Sequence, residues 1–593
     1  MFGKILKIED KLIQIENTSK VIQANVINFH VIFEEASESG NSAKIVGEIL
    51  GMNESVIDIL LIGEIRNNEF VSGVIKYPSM KSTCRVVYKQ ELELIIGSQD
   101  YTKEDTLLIG DSALYEGYNV TAKINEILTQ HIAIIGNSGC GKSCGVASLV
   151  QNLFYYNKRS PKNIHMVVFD VYGEYYTSLT KINEMPGINV KYYTTRTDIE
   201  EASTELVSIP TYFLEVDDLA LLLNVNDHTL LPILEKTLQY VAIFKGAGDN
   251  AVKYKNSIIA KSLLDTIGSG KSSIELSDQI ISTLNKFNTP ELNLESSIVQ
   301  PGYTRTLKQC LNIDANGKMG ALQFIIEFLQ GFTTTETFTV NRDELIYNLE
   351  DLYNALEFAL MSEGMLNNAS LYEKANELRV RLHSILNSPE RKYFEYNKSY
   401  IQKEQFVKSM FLTETNEFAQ LLNMNFNYVD ERFAKILTKI YMKLFFKFET
   451  SLKERASFPI HIILEEAHRY VQNDNDINVI GYNIFDRITK EGRKYGLILC
   501  FVTQRPSELS TTCLSQCSNF LIFRIFHPED LKIVVSMSSN LSNQEIEKLK
   551  TLRPGTALVF GSAFRVPLLT RLKLPNPLPK STNVNLESLW YEN

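Results

Sequence analysis

The stretch "IIGNSGCGKS", residues 134–143, decides how the rest of this 593-residue chain is read. Gly136 is followed after four residues by Gly141, Lys142 and Ser143, with the apolar run "HIAIIG" leading in and the helix-forming run "KSCGVASLVQNLFYY" leading out. A strand, a glycine-rich turn and a helix in that order are the context a phosphate-binding loop requires. The backbone N–H groups of Asn137, Ser138, Gly139, Cys140 and Gly141 can turn inward around a β-phosphate, and the helix opening at Lys142, Ser143 and Cys144 adds its positive end. Lys142 is then placed to neutralise β- and γ-oxygens, and the Ser143 hydroxyl to ligate Mg²⁺. A second glycine–lysine stretch, "TIGSGKSS" at 266–273, fails the same test. Asp265 stands where the first glycine belongs, and "IIAKSLL" before it reads as helix. Its Gly and Ser residues instead suit the end of one helix and the cap of the next.

The acids that a nucleotide-hydrolysing site needs come far downstream, in "PIHIILEEAHRY". A buried apolar strand delivers Glu465 and Glu466 to its C-terminal end, where open α/β sheets place their ligands. Glu465 is the candidate to hold Mg²⁺ through water, and Glu466 the candidate to polarise the attacking water. Beyond them, "NIFDRITKEGRKYG" reads as a helix ending in a basic cluster, and the strand "LILCFVTQRP" brings Gln504 to its end, in reach of a γ-phosphate or its water. Arg493 is a candidate to stabilise transition-state charge, and composition alone favours the alternative that Arg493 or Lys494 complements a helix C-terminus. Asp170 and Glu174, in "VVFDVYGEY", follow the second core strand, a position that favours a site role over merely fixing a turn.

Composition bounds the alternatives. The chain is 44% hydrophobic and 22% charged with a net charge of −10, an ordinary globular balance whose surface as a whole repels phosphate backbones. Binding to nucleic acid must therefore use a local basic zone. Seven scattered cysteines, an odd number, read as reduced thiols, and Cys513 with Cys517 as buried rather than metal-binding. No structural metal is expected. The absence of a spanning apolar run or a leader-like N-terminus makes the expected location cytoplasmic, without membrane contact.

Five segments follow from the patterning. Residues 1–103 hold short β-rich runs that suggest a small closed barrel. From 104 to 215 strands and helices alternate as a parallel α/β sheet, from 216 to 400 the apolar spacing is helical almost throughout, and from 401 to 575 strands return to complete the sheet. A tail, 576–593, carries the only tryptophan, Trp590. The fold class is α/β: a P-loop core of the RecA type with an N-terminal β-barrel and an all-helical insertion. In "AKILTKIYMKLFFKF", Lys435, Lys439, Lys443 and Lys447 form a ladder that reads as the solvated face of an amphipathic helix, with a path for DNA as the alternative.

Taken in order, the barrel, "HIAIIGNSGCGKS", "VVFDVYGEY", the insertion, "LEEAH", "EGRKYG", "TQRP" and "LRPGTALVFG" resemble the HerA family within the FtsK/HerA superfamily of ring-shaped DNA-pumping ATPases. The resemblance covers nearly the whole chain. It implies ATP and Mg²⁺ as ligands, a homohexamer with double-stranded DNA in its channel, and helicase or translocase activity. By the same resemblance Arg493 matches an arginine that reaches into the neighbouring subunit's ATP site, and "VFGSAF" with Gly561 and Ser562 matches a segment that closes over the nucleotide. Gln130 stands where the family tends to carry an arginine before the first core strand. A protein partner is also implied, a nuclease or a sirtuin-like NAD-consuming effector, with antiphage defence as the setting. A ring acting mainly as a scaffold for such an effector, or one that unfolds protein, remains open at this point.

Overall fold

The computed structural model describes all residues except 1, 19–25, 36–43, 157–159, 199–203, 247–248, 316, 336–344, 363–368, 397–398, 538–542, 581–585, 587–589 and 591–593. Its N-terminal part is a seven-stranded antiparallel sheet running between Ile5 and Val86. Alternate residues of its strands, among them Ile13, Ile15, Val31, Phe33, Ile57 and Ile59, are buried against one another in a single core, so the sheet wraps round its own apolar face. The sheet is a half-barrel and not the expected closed one: among the described residues its two edge strands do not pair, and a single hydrogen bond, Phe2 N–H to Cys84 O at 2.9 Å, links the ends of the ladder.

The central sheet has twelve strands. In chain order they are β1 (Thr106–Ser112), β2 (Asn119–Lys123), β3 (His131–Ile135), β4 (His165–Asp170), β5 (Val190–Thr194) and β6 (Thr204–Leu206). After the insertion come β7 (Leu421–Asn425), β8 (Ile460–Leu464), β9 (Leu497–Thr503), β10 (Cys517–Ile522), β11 (Thr556–Gly561) and β12 (Leu568–Leu572). Across the sheet the order is β6-β5-β7-β4-β8-β9-β3-β10-β11-β12-β1-β2. The pairing is parallel from β6 to β10 and antiparallel from β10 to β2, so the sheet is mixed rather than wholly parallel.

Period-two burial on both faces explains the apolar strands. Along β3 and β4, Ala133, Ile135, Val167 and Phe169 join the core shared with the insertion. Ile132, Ile134, Met166 and Val168 join the core beneath helix α1 (Lys142–Tyr155). A strand covered on both faces carries a continuous apolar run, the signature read in "HIAII" and "IHMVVF". His131 is held neutral within this sheet: its Nδ1 accepts from Leu499 N–H at 3.0 Å while Nε2 lies 3.1 Å from Thr489 O. Burial pulls its pKa down to about 4.

The insertion is largely helical but not wholly so, because Ser297–Gln300 and Tyr303–Thr306 pair as an antiparallel hairpin. The second glycine–lysine stretch behaves as read. Gly268 ends a helix, and the Ser272 hydroxyl caps the next by accepting from Glu275 N–H.

The lysine ladder corrects both of its readings. On α2 (Glu431–Ser451), the side chains of Lys439 and Lys443 are only 3% and 9% exposed. Lys439 pairs with Asp474 and Asp476, while Lys443 lies 3.1 Å from Asp218 and from Glu215. Lys435 reaches Asp474 at 3.2 Å, and the more exposed Lys447 reaches Glu215. Four-residue spacing put the lysines on one face, and acids from two distant segments cover that face, so it is an internal seam of ion pairs.

Removing one partner of a buried pair leaves the other charge uncompensated, at a cost of about 3–5 kcal/mol. Lys439→Ala is therefore expected to lower the urea midpoint by that order of stability, and Lys447→Ala by less than about 1 kcal/mol. A second expectation concerns acid. His131 protonates in the unfolded chain below its ordinary pKa of 6.5 but resists protonation when folded down to about 4. Its contribution to stability is whole above pH 6.5 and is lost progressively towards pH 4, as thermal melts of wild type and His131→Asn compared across that window will register.

Candidate nucleotide site

The phosphate loop is shaped by what presses on it. A Cβ on Gly136 would sit 2.6 Å from the Cβ of Phe523 and 2.7 Å from the Cys140 sulfur. At Gly141, φ is +98° and a Cβ would meet Gly555 N at 2.9 Å. Only glycine fits a left-handed turn beneath a second backbone. Gly555 N–H donates to Cys140 O at 2.9 Å, and Asn137 N–H donates to Arg524 O at 2.9 Å. The loop is therefore clamped by the segments after β10 and before β11. Lys142 is nearly buried, and its Nζ donates to Asn137 O at 3.1 Å, which holds the ammonium in the curl of the loop at the start of α1.

The downstream acids arrive where the sequence placed them. Glu465 is 3% exposed at the end of β8, one strand removed from β3 on one side and adjacent to β4 on the other. Its Oε1 accepts from Ser143 Oγ at 3.5 Å and from the Tyr175 hydroxyl at 3.3 Å, while its Oε2 is buried without a hydrogen-bond partner among the described residues. Glu466 Oε1 accepts from Gln504 Nε2 at 2.9 Å. Glu466 also has φ +44°, a left-handed conformation costing a non-glycine residue about 1–3 kcal/mol, so its direction is imposed by the surrounding structure.

Asp170 does two things. Its carboxylate accepts from Glu174 N–H at 3.0 Å and from Tyr175 N–H at 2.9 Å, and so fixes the turn that leads into the helix Tyr175–Asn183. It also stands close enough to Glu465 to perturb it. Burial, followed by repulsion from Asp170, Glu174 and Glu466, drives the Glu465 pKa well above the usual range. Burial likewise raises Asp170 to about 6 and raises Glu466, with Lys142 opposing the latter shift. Four carboxylates thus crowd beside one ammonium. An orphaned, buried Glu465 oxygen next to a serine hydroxyl fits a Mg²⁺ site built from Ser143 and Glu465, since a small hard divalent cation takes oxygen ligands and would relieve that repulsion.

Three sequence candidates lie elsewhere. Arg493 is exposed and donates to Gln130 Oε1, just before β3 begins, whereas the phosphate loop follows where β3 ends. Five residues at roughly 3.3 Å each separate those ends by about 16 Å. Gly561 and Ser562 share the far end. Gly561 is paired with Asn519, and Ser562 N–H donates to Ser518 O at 3.0 Å. Both line a cavity of about 980 Å³ between the N-terminal sheet and the core. Antiparallel β11 runs away from the loop, so Gly555 at its start, not Gly561 at its end, touches the chain's own phosphate loop. The closing role carried over for Gly561 and Ser562 is therefore not met within one chain.

Three residues of the site were missed. Tyr175, Arg524 and Gly555 reach it through contacts across hundreds of residues or from the ends of strands, and no local spacing marks them. Arg524 adds a second cation beside the loop, with its Nε buried and without a partner among the described residues. Cys144 is partly buried behind the loop, and all seven cysteines are free, Cys513 and Cys517 being buried as expected. Among the described residues no helix is long and apolar enough to cross a membrane.

Comparison with known proteins agrees with this geometry. Residues 108–319 match the family model described as the central domain of helicase HerA. The DNA double-strand break repair helicase HerA of Pyrococcus furiosus is 24% identical over 534 residues, covering 89% of this chain and 79% of that protein. A probable helicase of Methanocaldococcus jannaschii is 26% identical over 487 residues, covering 80% and 73%. Among solved structures, VirB4 of Thermoanaerobacter pseudethanolicus aligns with 11% identity and a TM-score of 0.44 over 79% of this chain and 96% of that one. With its phosphate loop and paired glutamates in place, the chain matches the central domain of helicase HerA over residues 108–319 and is similar to HerA helicases over most of its length.

Proposed function

We propose that this protein is an ATP-driven motor on double-stranded DNA that works as a homohexamer, each ATP being held by one subunit and triggered by the next. The observation that carries this reading is the position of Arg493. It is exposed, steadied by Gln130, and at the opposite end of β3 from its own phosphate loop. The chain's own cradle holds Lys142 and Arg524, and Arg493 is a further cation set too far away to meet charge developing on that γ-phosphate. A neighbouring copy supplies that cation if rings pack this end of the sheet against the next subunit's loop. The same packing places Gly561 and Ser562 at the neighbour's nucleotide.

Within the cradle, the roles follow from contacts. Backbone N–H groups of residues 137–141 and Lys142 bind the phosphates, and Ser143 with Glu465 would hold Mg²⁺, which supplies charge neutralisation when bound. Glu466, aimed by its strained backbone and hydrogen-bonded to Gln504, takes the proton of the attacking water while Gln504 orients it. The relatives' printed names support DNA as the track. A net charge of −10 means that contact must come from local basic loops and weaken steeply with salt.

A protein partner on the N-terminal sheet, of the nuclease or sirtuin-like kind and with a role in antiviral defence, is the finer reading. It is supported by Val71 on the strand Glu69–Ser72 and by Ile75 and Met80 in the segment that follows it, which are 54%, 82% and 57% exposed.

Lys142→Ala is expected to abolish turnover, and Glu466→Gln to bind ATP while slowing hydrolysis by about a hundredfold or more, as measured by phosphate release beside nucleotide retention. For the shared site, Arg493→Ala alone should lose about a thousandfold in turnover. Rings mixed from Arg493→Ala and Lys142→Ala subunits should regain activity, because half-intact interfaces form between them. Mixed rings as inactive as either parent would overturn the trans arrangement. Duplex DNA should stimulate wild-type hydrolysis, and less so as salt rises.

A further inference from the structure

A second pocket opens at the C-terminal ends of β5 and β7, on the far side of the Asp170 turn from the phosphate loop. Its volume is about 320 Å³, near the lower bound of roughly 300 Å³ for small-molecule sites, which is room for one nucleoside unit and not for two. Tyr176, Tyr192, Tyr428, Arg196, Asn423 and Asn425 line it. The rings of Tyr176 and Tyr192 pack with centroids 4.5 Å apart, and the Arg196 guanidinium lies 5.8 Å from the Tyr428 ring. Tyr176 and Tyr428 nevertheless remain 45% and 53% exposed, leaving aromatic faces available to a further flat group. The Tyr192 hydroxyl and the Asn423 side-chain oxygen are buried with no hydrogen-bond partner among the described residues, although Asn423 is only 2% exposed. A buried amide oxygen without a donor costs free energy unless something else supplies one.

We infer that this pocket binds a nucleobase, separately from the triphosphate in the phosphate loop. Tyrosine faces stack on any base and a side-chain amide matches its donor and acceptor edge, while the Arg196 guanidinium is already paired with Asp198 of the lining at 3.0 Å. An apolar ligand would leave the Asn423 oxygen unmatched, and a compact ion would not use the rings.

The pocket is wired to the hydrolytic site. The Asn423 side chain lies beside Asp170 and opposes the rise of its pKa, the Asp170 carboxylate holds the N–H groups of Glu174 and Tyr175, and the Tyr175 hydroxyl donates to Glu465. Asn425 packs under Gly173 of the same turn, 2.8 Å from where a Cβ would lie. A base that engages Asn423 therefore acts on the turn that positions Glu465.

The base has two sources with the same chemistry, a free nucleotide or an unpaired base of a strand. The full chain carrying Lys142→Ala, which disables the triphosphate site, is titrated with AMP and, separately, with a single-stranded oligodeoxyadenylate containing 2-aminopurine, following AMP by calorimetry and the oligonucleotide by fluorescence quenching. Saturable binding that weakens about tenfold or more on adding Tyr428→Ala, and is restored by Tyr428→Phe, is the expected result. Its appearance with the oligonucleotide assigns a strand base, and with AMP alone a free nucleotide. Absence of saturable binding by either probe, or binding indifferent to both Tyr428→Ala and Tyr176→Ala, overturns the assignment.

Discussion

The parallel hydrogen-bond ladder that seats β3 between β9 and β10 sets everything functional in this molecule. In register, Ile132 to Ile135 face Cys500 to Thr503 on one side and Asn519 to Ile522 on the other. Parallel strands share a direction, so every loop following one of these strands emerges at a common edge, and every residue preceding them lies at the opposite edge. The phosphate loop, the glutamate pair and Gln504 occupy the first edge. Arg493, Gln130 and Ser562 occupy the second.

At the first edge the electrostatics are deliberately unbalanced. Asp170, Glu174, Glu465 and Glu466 gather beside Lys142, with desolvation pushing the buried acids towards neutrality. A protein tolerates such a cluster because backbone donors satisfy Asp170 and because Lys142 opposes the charge of Glu466. The strained backbone at Glu466 belongs to the same design. A relaxed conformation would turn that carboxylate away from Gln504.

How much of this was legible in the sequence depended on range. The phosphate loop, the Glu465–Glu466 pair and the cap at Ser272 are local patterns, each with its physics contained in a dozen residues. The lysine ladder was misread because spacing reports which residues share a helix face but not what covers it, and the covering acids Asp218 and Asp474 belong to other segments. Strand β7, "LLNMN", escaped notice because its two asparagines interrupt the apolar run, although they line the pocket beside the Asp170 turn. Gly561 and Gly555 are six residues apart in one motif, and only the antiparallel direction of β11 tells which of them meets the phosphate loop.

The distance along the chain between β3 and its neighbours has a consequence for how the protein is made. β3 ends at Ile135, while β9 and β10 close the sheet around it only at Thr503 and Ile522. At the usual rate of about 5–20 residues per second, the ribosome takes roughly 20–80 s to deliver them. For that interval "HIAII" is an apolar strand with both edges unpaired, the condition in which nascent chains associate wrongly. The insertion emerges during the wait, and its helices, folding from local contacts, are available to shelter the face of the strand until its partners leave the tunnel.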